Sequence, residues 1–171
     1  YMAKLDPGFA REHIISIPLN GNNYELVSHD IGQLSGVVEV SASSENPGKH
    51  VSGEVLVNLD KGQTPIGIDY YFTDRNFVSN MRLQMLAGTG FPATAAAGTE
   101  RYVIVNEKAV TQLKLSSPAV AMGKSILLHD TLPLQIASVV KDFYHRGADI
   151  GYRPLLLRYQ PQELRYLQVR T

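Results

Sequence analysis

HIISIPLNGNNYELVSHDIGQLSGVVEVSAS, residues 13–43, sets the class of the fold. It opens on β-branched isoleucines and is closed by Pro18 and the turn residues Asn20, Gly21 and Asn22, which reads as a strand over 13–19. Tyr24, Val27, Ile31 and Leu34 then fall at helical spacing, with Asn22 or Asn23 as N-cap and Gly36 as the stop. VVEVSAS (37–43) alternates on Val38, Val40 and Ala42, the period of a strand with one buried face. The expectation is a β-α-β unit.

Outward from this unit the chain continues to alternate strands with short helices. EVLVNL (54–59) and IGIDYYF (66–72) read as strands, the second with Ile66, Ile68, Tyr70 and Phe72 on one face. In TDRNFVSNMRLQMLAG (73–88) Met81, Leu83 and Met85 alternate with Arg82 and Gln84, which favours a short helix followed by a strand. FPATAAAGTE (91–100) is built of small residues without a period, so a mobile loop is expected. YVIVN (102–106) runs into a helix with Asn106 as N-cap, Glu107 favoured by the helix dipole, and Ala109, Val110 and Leu113 inward. From Gly123 onward the reading is β: KSILLH, a turn at 130–133, PLQIASVVKDF, PLLLRY (154–159) and LRYLQVR (164–170). The composite is α+β, with several strands and about three short helices.

A length of 171 residues suits one domain or two small intertwined ones. With 44% apolar and 19% charged residues the composition is globular, and 16 basic against 16 acidic residues argue against a nucleic-acid surface. The lack of cysteine excludes disulfides and thiolate chemistry. No apolar run approaches the roughly 18 residues of a membrane span, and the opening YMAKLDPGF has no signal-peptide core. Starting on Tyr1, the chain is expected to be a piece of something longer.

The stretch closest to chemistry is VVKDFYHRGADI (139–150), where Asp142 precedes His145 by three residues, with His129 and Asp130 upstream. A carboxylate so placed can orient an imidazole as a base, or the group can share a divalent metal. Metal-ligand spacings such as His-x3-His are absent, however, and His13, His29 and His50 are scattered. The plainer reading ends a strand in a turn: Asp142 bonds loop backbone, Phe143 packs inward and His145 lies near the surface. Gly123-Lys124-Ser125 is the tail of a P-loop, but position 118, where the loop needs glycine, is Pro118. AGTGF (87–91) reads as a turn with positive φ at Gly88 or Gly90. Arg146, Arg153, Arg158, Arg165 and Arg170 are expected to point outward from the last strands, where they could meet an anion or a partner. No G-x-S-x-G elbow is present.

Taken in order, YMAKLDPGFAREHIISIPL, GVVEVSASSENPG, IDYYFTDRNF, LQMLAGTGF, VIVNEKAV, MGKSI and VVKDFYH resemble the MacB-like periplasmic core domain of FtsX-type ABC transporter permeases. The likeness covers essentially the whole chain. Asn106, Glu107, Ala109, Gly123, Lys124, Ile126, Val139, Val140, Lys141, Asp142, Phe143 and, one residue late, His145 match the family pattern. The chain departs from it at Thr89, Met122, Lys114 and Ser138, the last two where glycine is common.

The resemblance implies a porter-like β-α-β subdomain, roughly 1–85 plus 155–171, and an inserted mixed α/β subdomain, 86–154. It also implies a domain with no catalytic, cofactor or metal residues, held between membrane helices on the periplasmic side of the inner membrane. Asn106, Glu107, Gly123, Lys124, Asp142, Phe143 and His145 are then structural. ATP is bound by a separate nucleotide-binding domain or subunit. The implied partners are the flanking transmembrane helices, the cytoplasmic ATPase and a periplasmic adaptor, lipoprotein or peptide. YMAKLDPGF resembles the juncture after a membrane helix, in the second domain of permeases that carry two. Two other readings stand beside this one: a soluble metal- or base-dependent hydrolase using Asp142, His145 and His129, and a ligand-sensing domain of a permease-linked signalling system.

Overall fold

The β-α-β unit forms, with a third strand between its two strands. In the computed structural model, which describes residues 5–171, β1 (Ile14–Pro18) is followed by α1 (Tyr24–Gly32) and β2 (Glu39–Ser43). The last strand of the chain, β10 (Tyr166–Arg170), lies between β1 and β2 and is antiparallel to both. Tyr1–Lys4, the start of the YMAKLDPGF juncture, lie outside the described residues.

Asn23 caps α1, its side chain accepting from Leu26 N at 3.1 Å. Tyr24, Val27 and Ile31 pack on Val40, Ala42, Leu167 and Val169. The helix stops at Gly32, four residues before Gly36, with the Gln33 amide bonding back to Asp30 and Ile31. Leu34 and Val38, expected on the buried side, are therefore 60% and 62% exposed.

The other face of this small sheet is buried too, and it is polar. Asn80 Nδ2 donates to Ser41 Oγ (2.9 Å) and Gln168 O (2.8 Å), while Gln168 Nε2 donates to Ser43 Oγ (2.7 Å). Ser41, Ser43, Asn80 and Gln168 thus satisfy one another, which offsets the cost of burying them.

Asn80 belongs to the larger body. There β3 (Gly53–Asn58), β4 (Ile66–Phe72), α2 (Phe77–Asn80), β5 (Met85–Ala87), β6 (Tyr102–Asn106), α3 (Glu107–Gln112), α4 (Pro118–Ala121), β7 (Ser125–Leu128), β8 (Leu132–Val140) and β9 (Leu155–Arg158) follow in order. The sheet order is β5-β8-β6-β9-β4-β3-β7. The nine-residue β8 pairs with β7 along 132–135 and with β6 along 135–140, so six strands close into a ring and β5 joins at Val139 and Val140. Val55, Ile68, Val105, Leu134, Ile136 and Leu156 make one core, which Ala109 and Val110 of α3, its C-cap residue Leu113 and Ala121 of α4 join. The opposite faces of β4, β6 and β9 supply Tyr71, Ile104, Leu155 and Leu157 to a second core with Phe77, Met81 and Phe143. This double burial accounts for the unbroken apolar runs YVIVN and LLLR.

The short helix and following strand read from 73–88 are both present, with Met81 and Leu83 buried between them. Among the described residues there are four α-helices rather than about three, since Ser117 and Pro118 start the one-turn α4. Sheet membership also cuts across the division into 1–85 plus 155–171 and 86–154. β3, β4 and β9 are hydrogen-bonded into the larger sheet, β9 parallel to β4 and antiparallel to β6, so only β1, β2 and β10 make up the small one.

Candidate functional site

β4, β6, β8 and β9 bring VVKDFYHRGADI against the middle of β4, where one carboxylate collects an imidazole and two guanidinium groups. Asp69 on β4 has a fully buried side chain. His145 Nε2 lies 2.9 Å from its Oδ2, and Arg146 grips it with two bonds, Nε to Oδ2 at 2.9 Å and Nη2 to Oδ1 at 2.7 Å. Arg153 Nε adds a longer contact at 3.4 Å and also reaches Glu54. Burial alone would raise the Asp69 pKa, but the hydrogen bonds from His145 and Arg146, with the Arg146 charge, outweigh it and hold the carboxyl below its ordinary value. Tyr71 donates its hydroxyl to the His145 carbonyl, and the Tyr71 and Phe143 rings meet the imidazole edge-on.

Asn106, at the end of β6, ties the neighbouring elements together. Its Oδ1 accepts from Ala109 N (3.0 Å), capping α3, and from Leu155 N (2.9 Å), while Nδ2 donates to Arg153 O (2.8 Å). Asp142 Oδ1 accepts from Lys108 N at 2.9 Å, and the Glu107 carboxylate faces the Asp142 amide at 3.4 Å. Burial, together with nearby Glu107, raises the Asp142 pKa against the pull of the Lys108 amide. Gly123 takes φ 79° in the turn before β7, and Lys124 bonds Ile136 and Ala121 through its backbone. Val139 and Phe143 are fully buried.

His145 does not lie near the surface as its loop position suggested: it has no solvent exposure, because it is the buried partner of Asp69. The trio of the hydrolase reading does not assemble. His145 is turned to Asp69, Asp142 to the Lys108 amide, and His129 sits in the β7–β8 turn with its own amide bonded to Leu56 O on β3. Among the described residues no three His, Asp or Glu side chains gather as a metal site would require.

The arginines of the last strands are also engaged within the chain. Arg158 makes a two-bond pair with Glu100 (2.8 and 2.6 Å) and lies 4.9 Å from the ring centres of both Tyr70 and Phe72. Arg170 binds Glu39, and Arg165 lies 3.7 Å from Glu163. Sequence reasoning missed Asp69, although IGIDYYF displays it: an aspartate in a strand buried on both faces needs partners of its own. Lys114 occupies a glycine-like backbone at φ 58° after α3.

No protein-family model and no curated protein matches the sequence. Solved structures do. The chain is similar to the periplasmic region of MacB from Actinobacillus actinomycetemcomitans, with a TM-score of 0.63 and 13% identity over 93% of this chain and 74% of that one. The fold is that of the MacB periplasmic domain. The extracellular domain of the ABC-type transporter YknZ from Gram-positive bacteria shares it, with a TM-score of 0.61 and 15% identity over 92% of this chain and 81% of that one. So does a domain of a protein described as a permease from Porphyromonas gingivalis, with a TM-score of 0.54 and 13% identity over 81% and 63%. In this chain the ion cluster at Asp69 fastens β4 to the segment after β8.

Proposed function

We propose that the chain is a non-catalytic, extracytoplasmic domain of an ABC transporter permease. In this role it passes ATP-driven movement of the membrane helices to a substrate or partner outside the membrane. The observation that carries the reading is the fold, shared along nearly the whole chain with extracytoplasmic domains of two named transporters. The interior supports it. A body that transmits movement must be stiff, and here Asp69 is locked to His145 and Arg146, and Asp142 to the Lys108 amide. The chain also enters and leaves the small sheet side by side, Ile14 opposite Arg170 and Thr171 N donating to His13 O at 3.0 Å. A domain carried between two membrane segments needs that arrangement.

In this reading ATP is bound by a separate nucleotide-binding domain or subunit, and the partner outside is an adaptor, lipoprotein or peptide. The loop 91–100 is the surface offered for contact. Arg75 shapes it by bonding the carbonyls of Pro92, Ala93 and Ala95, leaving Ala96–Thr99 exposed. The test is biochemical. The tagged full-length protein, extracted from membranes in mild detergent, is expected to carry or co-purify with ATP hydrolysis activity. An extract in which it stays free of any ATPase and outside the membrane fraction contradicts the proposal.

A further inference from the structure

Asp74 sits at the seam between the two sheets, and among the described residues no cation pairs with its carboxyl. The seam is made by backbone: Asp74 N donates to Ala42 O at 3.0 Å, Ser44 N to Phe72 O at 2.8 Å, and Ser43 and Thr73 form an antiparallel bridge. Asp74 is only 6% exposed, and its Oδ1 accepts from Asn76 N at 3.1 Å. Beside it opens a cleft of about 590 Å³. The charged and titratable groups around that cleft are Glu39 from β2, Tyr24, Glu25 and His29 from α1, Arg75 from the turn itself, and Tyr159 beyond β9.

The two guanidinium groups of this region are committed elsewhere. Arg75 binds the carbonyls of the 92–95 loop and lies 5.4 Å from the Tyr159 ring centre, and Arg170 binds Glu39 and Asn80. Two carboxylates therefore share the seam, and among the described residues Glu39 pairs with Arg170 while Asp74 has no counter-ion. A buried carboxyl in such a place is held more easily neutral than charged.

We infer that Asp74 makes the joint between the β1-β10-β2 unit and the larger sheet sensitive to protons: the joint is tight while the carboxyl is neutral and loosens when it ionises. This does not rest on the transporter reading. Burial, with Glu39 adding to it, pushes Asp74 up to about 7 against the pull of the Ala42, Asn76 and Phe77 backbone. Once the joint opens, the carboxyl returns toward the ordinary value of 3.8. Asp74 thus stabilises the closed joint fully below about pH 4, and that contribution is lost as pH rises toward 7, by up to about tenfold in the opening equilibrium per pH unit.

Amide hydrogen exchange on the 171-residue chain, at pH 5 and pH 7 and corrected for the intrinsic rate at each pH, tests this. The protection of the Ser44 and Asp74 amides should fall about tenfold or more between the two, while that of Ile104 and Val105 in the core holds. In Asp74→Asn the seam protection should change less than about twofold over the same interval. Unchanged protection in the wild type, or an equal fall in the variant, overturns the inference. Should the variant not fold, the carboxyl carbon of Asp74, followed by NMR in the wild type, decides: a midpoint near 7 supports the inference, and one below 5 overturns it.

Discussion

Asp69 is the residue that ties the segment between β8 and β9 to β4. Its carboxylate is the acceptor for His145 and Arg146 together, so removing it leaves an imidazole and a guanidinium without their buried partner. Breaking such a pair from one side costs about 3–5 kcal/mol, and Asp69→Ala is expected to lower stability by that order in urea unfolding. The lowered native pKa adds a pH signature. An aspartate depressed in the folded state contributes its stability above the unfolded value, 3.8, and loses it as pH falls through the native one. Between pH 6 and pH 3 the wild-type urea midpoint should therefore drop further than that of Asp69→Asn, which cannot ionise. The sequence displayed both ends of this pair without joining them. His145 was visible as a suspicious residue and Asp69 as a polar interruption of a strand, but 76 residues separate them and only the parallel pairing of β4 with β9 brings their segments together.

At the scale of elements, two places are held by a single feature. Asn106 caps α3 and also holds the start of β9 by two further bonds, so Asn106→Ala should cost about 2–4 kcal/mol, more than a cap alone, because the Leu155 amide is left unsatisfied. Asn23→Ala, which removes only the exposed cap of α1, should cost about 1 kcal/mol or less in the same denaturation series. The Gly88–Gly90 turn is the second place. Gly88 has φ 82°, and a Cβ there would stand 2.5 Å from Ser138 Oγ and 2.6 Å from Ala137 O. The Ser138 hydroxyl is itself engaged with Gly90 N and O. Gly88→Ala is expected to destabilise by about 2 kcal/mol or more, read as a lower melting temperature. The cap at Asn106, the turn with positive φ at Gly88 or Gly90 and the strands from 102 onward were legible because each rests on local chemistry, though both glycines prove to have positive φ. The early end of α1 was not: Gly36 is a sound stop signal, but the bonds of the Gln33 amide close the helix first. Nor was the one-turn α4, too short to display a period.

For the whole molecule, periodicity identified strands and helices but could not assign strands to sheets. That assignment follows from pairings far apart in sequence: β10 inserted between β1 and β2, and β8 bent to serve β7, β6 and β5 in turn. The boundary drawn along the chain therefore differs from the one drawn in space, while the α+β class and the resemblance to a MacB-type domain agree with the fold. The central claim concerns where this domain stands, and it is open to direct measurement because the chain has no cysteine of its own. Ala97→Cys places a single thiol on the exposed part of the 91–100 loop. In intact cells producing the full-length protein, with any other cysteines removed, a maleimide that cannot cross the cytoplasmic membrane should label Ala97→Cys as fully as it does after lysis. Labelling that appears only once the cells are broken would place the domain in the cytoplasm and contradict the account.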